Sequence, residues 1–261
     1  MNTAQRMPVV FAAHGTPMNA ITDNRFRSLW RQWGQALPRP KAILAVSAHF
    51  YTRGTHVTAM ERPPTIHDFY GFPQELFDVQ YPAPGDPALA RRVADLLAPT
   101  PVGLDMGAWG FDHGTWSVLM HMFPDADIPV VQLSMDGALP PEAHYELAKR
   151  LRPLRDEGVL IFANGNVVHN LQMLNRREDA PATDWCVRFE AVVKDMLAKG
   201  DHEGLIHYEA MGEDARLSVP TPDHYLPLLY AIAQQDAGDP VSFPITGSHL
   251  QSLSMLSCQI G

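Results

Sequence analysis

The sequence contains little cysteine and no long apolar segment. Its two cysteines, Cys186 and Cys258, lie far apart in the chain. This spacing matches neither a zinc-binding motif nor a disulfide framework, so it favours a reducing compartment, and we expect a cytoplasmic protein. The apolar runs are too short to span a bilayer, and no charged segment followed by an apolar one opens the chain. We therefore expect no membrane partner.

Basic residues are also scarce. Lysine and arginine together number 20 against 29 aspartates and glutamates, which gives a formal net charge of −9 with histidine neutral. Because such a surface attracts neither nucleic acid nor anionic lipid, we expect no nucleic-acid partner. The phosphate loop, the Gly-rich dinucleotide turn, the H-E-x-x-H zinc motif and the G-x-S-x-G elbow are missing as well. Nucleotide binding and serine hydrolysis are therefore disfavoured.

Short apolar runs that alternate with helical patterns are the main structural signal. Three runs indicate strands buried on both faces: Pro8–Ala13, Ala42–Ala48 and Val159–Ala163. Further strands are predicted at 101–104 and 128–133, and one or two within 241–259. This alternation predicts an α/β fold with a mostly parallel central sheet flanked by helices. No composition break divides the 261 residues, so we expect a single domain over 1–261.

Capping residues predict where several helices begin. At Asp86-Pro87 an acidic residue precedes a proline in the first helical position, which predicts a helix through Leu97. Thr221-Pro222 predicts a helix that begins at Thr221 and runs to about Gln235. The segment 50–85 is rich in proline and aromatic residues and is predicted to be a binding loop or lid. Other helices are predicted over 23–37, 140–157 and 185–199 and in a segment ending at 122.

Histidine is abundant, with 12 residues, and three of them follow predicted strands. His14 and His49 end two buried apolar runs, and His169 follows the third run through a polar loop. Because the carboxyl ends of parallel strands lie at one rim of a sheet, these imidazoles are candidates for a metal site. For a single histidine, hydrogen bonding to nearby backbone is the simpler interpretation. The shared rim favours metal binding for the pair His14 and His49.

Three other histidines have a suggestive context. His224 lies in the predicted first turn of a helix, where Asp223 could accept its second N–H. His113 lies at a helix amino end, which favours a neutral imidazole or a bound anion. His67 lies in the Pro/aromatic loop and could contact a substrate. The alternative for each is an ordinary loop or helix-start residue.

Six motifs taken together resemble one known family. The motifs are HGTPM at His14–Met18, SAHF at Ser47–Phe50, PPTIHDFYGFP at Pro63–Pro73, WGFDHGTW at Trp109–Trp116, GNVVHN at Gly165–Asn170 and TPDHYLPLLY at Thr221–Tyr230. In this order they resemble the DODA-type extradiol aromatic ring-opening dioxygenases of the LigB-like family. The resemblance covers essentially the whole chain.

The resemblance implies a LigB-like fold and an enzyme that uses a non-haem metal, Fe(II), to cleave a catechol with O2 to a muconic semialdehyde. It implies that His14, His49 and His224 are metal ligands. His169 is implied to be the catalytic acid/base and a possible further ligand, and His113 a catalytic residue of the pocket. The expected substrate contacts are His67, His113 and Tyr225.

The third ligand position departs from the wider superfamily. Protocatechuate-type members have a carboxylate there, as in the two-His-one-carboxylate triad, whereas this chain has His224. An all-imidazole site also suits Zn(II), which is therefore a plausible bound metal. A zinc-dependent hydrolase and a non-enzymatic binding protein remain as alternatives. We expect a monomer or a small homo-oligomer whose partners are a small catechol and O2.

Overall fold

The computed structural model describes residues 6–175, 177 and 180–261. One eight-stranded sheet runs through it, and a two-stranded sheet formed by β8 and β9 lies beside it. The strands are β1 (Val9–Ala13), β2 (Ala42–Thr52), β3 (Thr55–Thr58), β4 (Val102–Asp105), β5 (Val130–Asp136), β6 (Val159–Gly165), β7 (Val241–Ile245), β8 (Ser248–His249), β9 (Leu253–Ser254) and β10 (Ser257–Ile260).

The strand order in the large sheet is β4-β3-β5-β2-β6-β1-β10-β7. The four central strands, β5, β2, β6 and β1, pair in parallel. Within the described part of this sheet, antiparallel pairing occurs only towards the edges, between β3 and β5, β1 and β10, and β10 and β7. The predicted α/β fold with a mostly parallel central sheet is therefore confirmed.

Helices cover both faces of this sheet. Alternate residues of the central strands point to opposite sides, so Val9 and Phe11 join one apolar core and Val10 and Ala12 join the other. This arrangement explains why the central strands are apolar throughout. The helices are α1 (Arg25–Ala36), α2 (Gln74–Phe77), α3 (Pro87–Leu97), α4 (His113–Met122), α5 (Pro141–Lys149), α6 (Pro153–Asp156), α7 (Asp184–Lys199), α8 (His202–Ile206), α9 (Glu213–Ser218) and α10 (Leu226–Ile232).

Asparagine and aspartate side chains start several of these helices. The Asp86 carboxylate accepts hydrogen bonds from the amides of Ala88 and Leu89 at 3.0 and 2.9 Å, as predicted for α3. Asn24 caps α1, one residue after the predicted start at 23. Asp112 caps α4 and also accepts a hydrogen bond of 2.7 Å from the Ser47 hydroxyl. This last contact ties the start of α4 to β2.

Three boundary predictions were wrong. The helix predicted over 140–157 is two helices, α5 and α6, because Pro153 lacks an N–H and begins a new helix. The helix predicted from Thr221 begins at Leu226, and residues 222–225 form turns instead. The predicted loop 50–85 contains the end of β2, the strand β3 and the short helix α2. β3 escaped prediction because its four residues, THVT, contain no apolar run.

Among the described helices, none combines the length and apolarity that crossing a membrane requires.

Candidate active site

Three imidazoles from distant parts of the chain meet at the carboxyl rim of the central strands. They belong to His14, His49 and His224, and one ligand nitrogen from each lies within 4.8 Å of the others. Their ring centroids are 5.0 to 5.3 Å apart. All three imidazoles are largely or fully buried, so the cluster lies inside the rim rather than on the surface.

The sheet itself positions the first two imidazoles. His14 directly follows β1, where Ala13 pairs with Gly165 of β6, and the chain then turns away at Gly15 with a positive φ of 71°. His49 lies within β2, at a point where pairing with β5 loses its register between Val46 and Tyr51. This irregularity marks the place where β2 departs from a regular strand.

His224 reaches the rim through a close backbone approach to β6. The Asn166 amide donates a hydrogen bond of 2.9 Å to the His224 carbonyl oxygen. A Cβ atom at Gly165 would lie only 2.2 Å from that oxygen. The absence of a side chain at Gly165 therefore allows the turn that carries His224 to lie against the end of β6.

The free ring nitrogens have the geometry that a divalent metal requires. His14 Nε2 and His49 Nε2 are 3.3 Å apart. Two ligands at metal–nitrogen distances of about 2.0–2.1 Å around a tetrahedral ion are separated by about 3.3–3.4 Å. His224 Nδ1 is hydrogen bonded to Asp223, and His224 Nε2 is buried without a hydrogen-bond partner among the described residues. The three imidazoles therefore fit a metal ion held through their Nε2 atoms.

Burial keeps these imidazoles neutral. Desolvation, followed by the neighbouring histidines, lowers the pKa of His14 and of His224 well below the ordinary value. Desolvation also lowers the pKa of His49, with His113 adding to the effect and Asp68 opposing it. A neutral imidazole offers a lone pair, which is the form that binds a metal.

His169 and His113 border the cluster on different sides. The His169 ring stacks on the His224 ring with centroids 3.4 Å apart and planes 4° from parallel. Burial, with a contribution from His113, lowers the pKa of His169 to about 4. The His113 ring centroid is 3.9 Å from that of His49 and 5.4 Å from that of His14. Both imidazoles predicted for catalysis therefore lie beside the three candidate ligands.

Asp68 is a site residue that the sequence analysis missed. Its Oδ1 atom lies 3.0 Å from His113 Nδ1, and its Oδ2 atom lies 3.3 Å from His49 Nδ1. Desolvation would raise the pKa of this carboxyl, but hydrogen bonding from His113, together with electrostatic interactions with His113 and His49, lowers it to about 2. Asp68 directly follows His67 in the aromatic loop, and no spacing in the sequence linked it to either imidazole.

The two other predicted substrate contacts lie away from the three ligands. The His67 ring packs near Phe69 and Trp116, and its Nε2 atom is 3.0 Å from the Val79 carbonyl oxygen. Tyr225 lies in the core: its hydroxyl donates a hydrogen bond of 3.0 Å to the Leu205 carbonyl, and its ring packs 4.2 Å from that of Tyr208. The side chain of Tyr225 is buried and its hydroxyl is already hydrogen bonded, and its contact with substrate stays a prediction.

Comparison with known proteins gives a family match over most of the chain. A family model described as the catalytic LigB subunit of aromatic ring-opening dioxygenase matches residues 7–242. A 4,5-DOPA dioxygenase extradiol from Escherichia coli (strain K12) is 52% identical over 262 residues, which cover 99% of this chain and 96% of that protein. A protein of the same name from Beta vulgaris is 40% identical, over 85% of this chain and 84% of that protein.

A solved structure matches the fold as well. The crystal structure of an uncharacterized protein from Escherichia coli K12 superposes with a TM-score of 0.85 and 48% sequence identity. The match covers 98% of this chain and 100% of that one. Both named relatives above are dioxygenases, so the zinc-hydrolase alternative is not favoured.

Proposed function

The chain belongs to the LigB family of aromatic ring-opening extradiol dioxygenases, and from this premise we propose that it is a metal-dependent enzyme that cleaves a catechol with O2. The ring would open beside the two hydroxyl-bearing carbons, and both atoms of O2 would be kept in a muconic semialdehyde. The relatives named 4,5-DOPA dioxygenase support a DOPA-like catechol as substrate.

The observation that carries this proposal is the convergence of three buried imidazoles, with His14 Nε2 and His49 Nε2 3.3 Å apart and His224 Nε2 without a hydrogen-bond partner among the described residues. His14, His49 and His224 would hold the metal, with Fe(II) as the catalytic ion and Zn(II) as a plausible bound ion. When bound, Fe(II) supplies the Lewis acidity and the redox capacity that joining O2 to an aromatic ring requires. The protein supplies the rigid, dry surroundings in which that chemistry is controlled.

His169 is the proposed general base. With its pKa lowered to about 4, its imidazole is neutral at pH 7 and has a lone pair that can accept a proton from a catechol hydroxyl. The same ring would later return the proton to the oxygen that leaves during cleavage. Its stacking on His224 supports this role, because it holds the ring beside the metal ligands.

His113 is proposed to bind the substrate and to assist catalysis. Its Nδ1 atom is engaged by Asp68, so its Nε2 atom is the one available to a substrate hydroxyl. Phe69 packs edge-on against this ring, with centroids 5.5 Å apart, and would provide an apolar surface for an aromatic substrate. His67 also packs against Phe69, so its proposed contact with substrate lies further out in the pocket.

Anaerobic reconstitution tests this function. The metal-free protein is loaded with Fe(II) or, in parallel, with Zn(II), and oxygen uptake is then measured across a panel of catechols that includes DOPA. We expect uptake with Fe(II) alone, matched mole for mole by a yellow semialdehyde product. A matched control carries His14→Ala, which removes one ligand and should abolish both metal binding and uptake.

A site that binds Fe(II) through these imidazoles without consuming O2 with any catechol would refute ring cleavage. Activity with Zn(II) towards ester or amide substrates would favour the hydrolase instead.

The two buried free thiols, Cys186 and Cys258, support a reducing, cytoplasmic location. That location stays a prediction, as does a monomer or small homo-oligomer.

A further inference from the structure

We propose that Asp68 is a positioning residue that serves two imidazoles at once: it holds both the metal-binding His49 and the pocket residue His113 with hydrogen on Nδ1. The proposal rests on the proposed function, since it assigns His49 to the metal and His113 to the substrate. It adds a single carboxylate that fixes the tautomer of both the metal ligand and the pocket imidazole.

The contacts to His113 are made by one carboxylate oxygen. Asp68 Oδ1 accepts a hydrogen bond of 2.9 Å from the backbone amide of His113 and lies 3.0 Å from His113 Nδ1. A carboxylate accepts hydrogen bonds but does not donate them, so His113 Nδ1 must carry the hydrogen. In the neutral imidazole with hydrogen on Nδ1, the lone pair is on Nε2, and Nε2 is the nitrogen left for the substrate.

The second carboxylate oxygen faces the metal ligand. Asp68 Oδ2 lies 3.3 Å from His49 Nδ1. At this distance a carboxylate repels a nitrogen lone pair and attracts an N–H, so hydrogen on Nδ1 is the favoured tautomer of His49. The lone pair of His49 is thereby assigned to Nε2, the atom that lies 3.3 Å from His14 Nε2. Carboxylates in this position are known to fix the tautomer of a metal-binding histidine. Asp223 makes the corresponding contact to His224, but it serves one imidazole rather than two.

Asp68 can do this because its loop is pinned to the start of α4. The Ile66 amide donates a hydrogen bond of 2.8 Å to the Phe111 carbonyl, and Trp116 Nε1 donates one of 2.9 Å to the Ile66 carbonyl. Only 15% of the Asp68 side-chain surface is exposed. The carboxylate is therefore held between the two rings rather than left in solvent.

The substitution Asp68→Asn separates this role from simple space filling. The amide oxygen can still accept from His113, but the amide nitrogen, a donor, then faces His49 Nδ1. His49 Nδ1 must then either lose its contact with residue 68 or give up its hydrogen. In the second case the hydrogen moves to Nε2 and removes the lone pair that would bind the metal. We expect Zn(II) affinity to fall by about 10–100-fold. We also expect long-range ¹⁵N–¹H NMR of the metal-free protein to report Nε2–H at His49 instead of Nδ1–H.

Two further variants control the experiment. Asp78→Asn changes an exposed carboxylate in the neighbouring helix region, and it should leave Zn(II) affinity and both tautomers unchanged. His113→Gln removes the pocket imidazole but leaves Asp68 and His49 in contact. It should keep Zn(II) affinity within about twofold of the wild type while lowering kcat. The conservative variant Asp68→Glu retains two acceptor oxygens and should restore Nδ1–H at one or both imidazoles.

The proposal is overturned if Asp68→Asn retains wild-type Zn(II) affinity and an Nδ1–H tautomer at His49. It is also overturned if the variant disturbs His224 as strongly as His49, since that would mean a general loss of structure. If Asp68→Asn folds poorly, NMR of the metal-free wild-type protein provides the test instead. A tautomer with hydrogen on Nε2 rather than Nδ1, at either His49 or His113, would contradict the assignment. Zn(II) affinity and the NMR tautomers are measured without turnover. A failure of ring cleavage would therefore be detected separately, as absent oxygen uptake.

Discussion

The substitution Gly165→Ala is expected to disable the metal site without touching any imidazole. The added Cβ atom would lie 2.2 Å from the His224 carbonyl oxygen and 3.1 Å from its carbonyl carbon. Both are backbone atoms, and the Asn166 amide holds the oxygen in a hydrogen bond of 2.9 Å. Since no flexible side chain can yield, the turn that carries His224 must retreat from β6.

The size of this effect follows from the geometry. An ordinary carbon–oxygen contact of at least about 3.2 Å requires the carbonyl to move by about 1 Å. Overpacking of this kind costs about 1–3 kcal/mol of stability, which a protein of this size tolerates. A displacement of about 1 Å at a catalytic group costs on the order of 100-fold in rate. We expect a comparable loss of Zn(II) affinity, because His224 Nε2 would leave the shared position.

Thermal unfolding with and without Zn(II) measures this loss directly. At a Zn(II) concentration about 100-fold above the wild-type Kd, binding stabilises the wild type by about 2.7 kcal/mol. This corresponds to an increase in Tm of about 5–10 °C. A variant with about 100-fold weaker affinity would gain only about 0.4 kcal/mol, or about 1 °C, under the same conditions. Oxygen uptake after Fe(II) loading should fall in parallel.

Gly107→Ala is the matched control. A Cβ atom at Gly107 would meet nothing within 4 Å, so this variant should keep the wild-type response to Zn(II) and the wild-type rate. If Gly165→Ala also responds to Zn(II) like the wild type, the approach of β6 to His224 does not determine the metal site. Circular dichroism of both variants establishes whether the fold is retained.

Three further predictions concern His169, His144 and Tyr225. His169→Ala should lower kcat by about 10²–10⁴-fold while Zn(II) affinity, measured by calorimetry, is retained; loss of metal instead would make His169 a ligand. Burial lowers the pKa of His144 to about 4, and its unfolded value is about 6.5. Between these values the unfolded chain binds more protons, so the stability of metal-free protein is complete above about pH 6.5 and falls as pH drops towards 4. Urea unfolding across this range should show a shallower pH dependence in His144→Gln, and an unchanged slope would contradict the assignment. Tyr225→Phe should lower the free energy of unfolding by about 0.5–1.5 kcal/mol through loss of the hydrogen bond to Leu205 and leave KM unchanged. A raised KM would indicate that the Tyr225 hydroxyl contacts the substrate.

Much of the fold was predictable because local patterns agreed with the tertiary structure. The apolar runs that became β1 and β6 are buried on both faces, and this burial is what their composition indicated. Predictions failed where one local signal competed with another. Thr221-Pro222 has the composition of a helix start, yet the chain forms turns there, and α10 begins only at Leu226. The turn instead lies against Gly165, with the Asn166 amide hydrogen bonded to the His224 carbonyl, and no propensity at 221–222 encodes this long-range contact.

The candidate site was predictable to a different degree for each residue. The sequence predicted that His14 and His49 would share a rim, because both end apolar runs, and the structure brings them together with His224. The functional roles of these residues stay predictions until a metal is measured. Asp68 was not predicted, because a single acid in a long loop carries no periodic signal. Tyr225 directly follows His224, but its side chain lies in the core, because neighbouring residues in a turn can point in opposite directions.

The amino-acid sequence by itself determined the class of fold, the parallel centre of the sheet and the identity of the imidazoles available at its rim. These properties follow from local composition, which each strand and helix carries within its own few residues. The tertiary structure decided that His14 and His49 approach each other through their Nε2 atoms, that one carboxylate lies between His49 and His113, and that Tyr225 belongs to the core. Such properties depend on distances of about 3 Å between side chains far apart in the chain, and only packing of the whole molecule sets those distances.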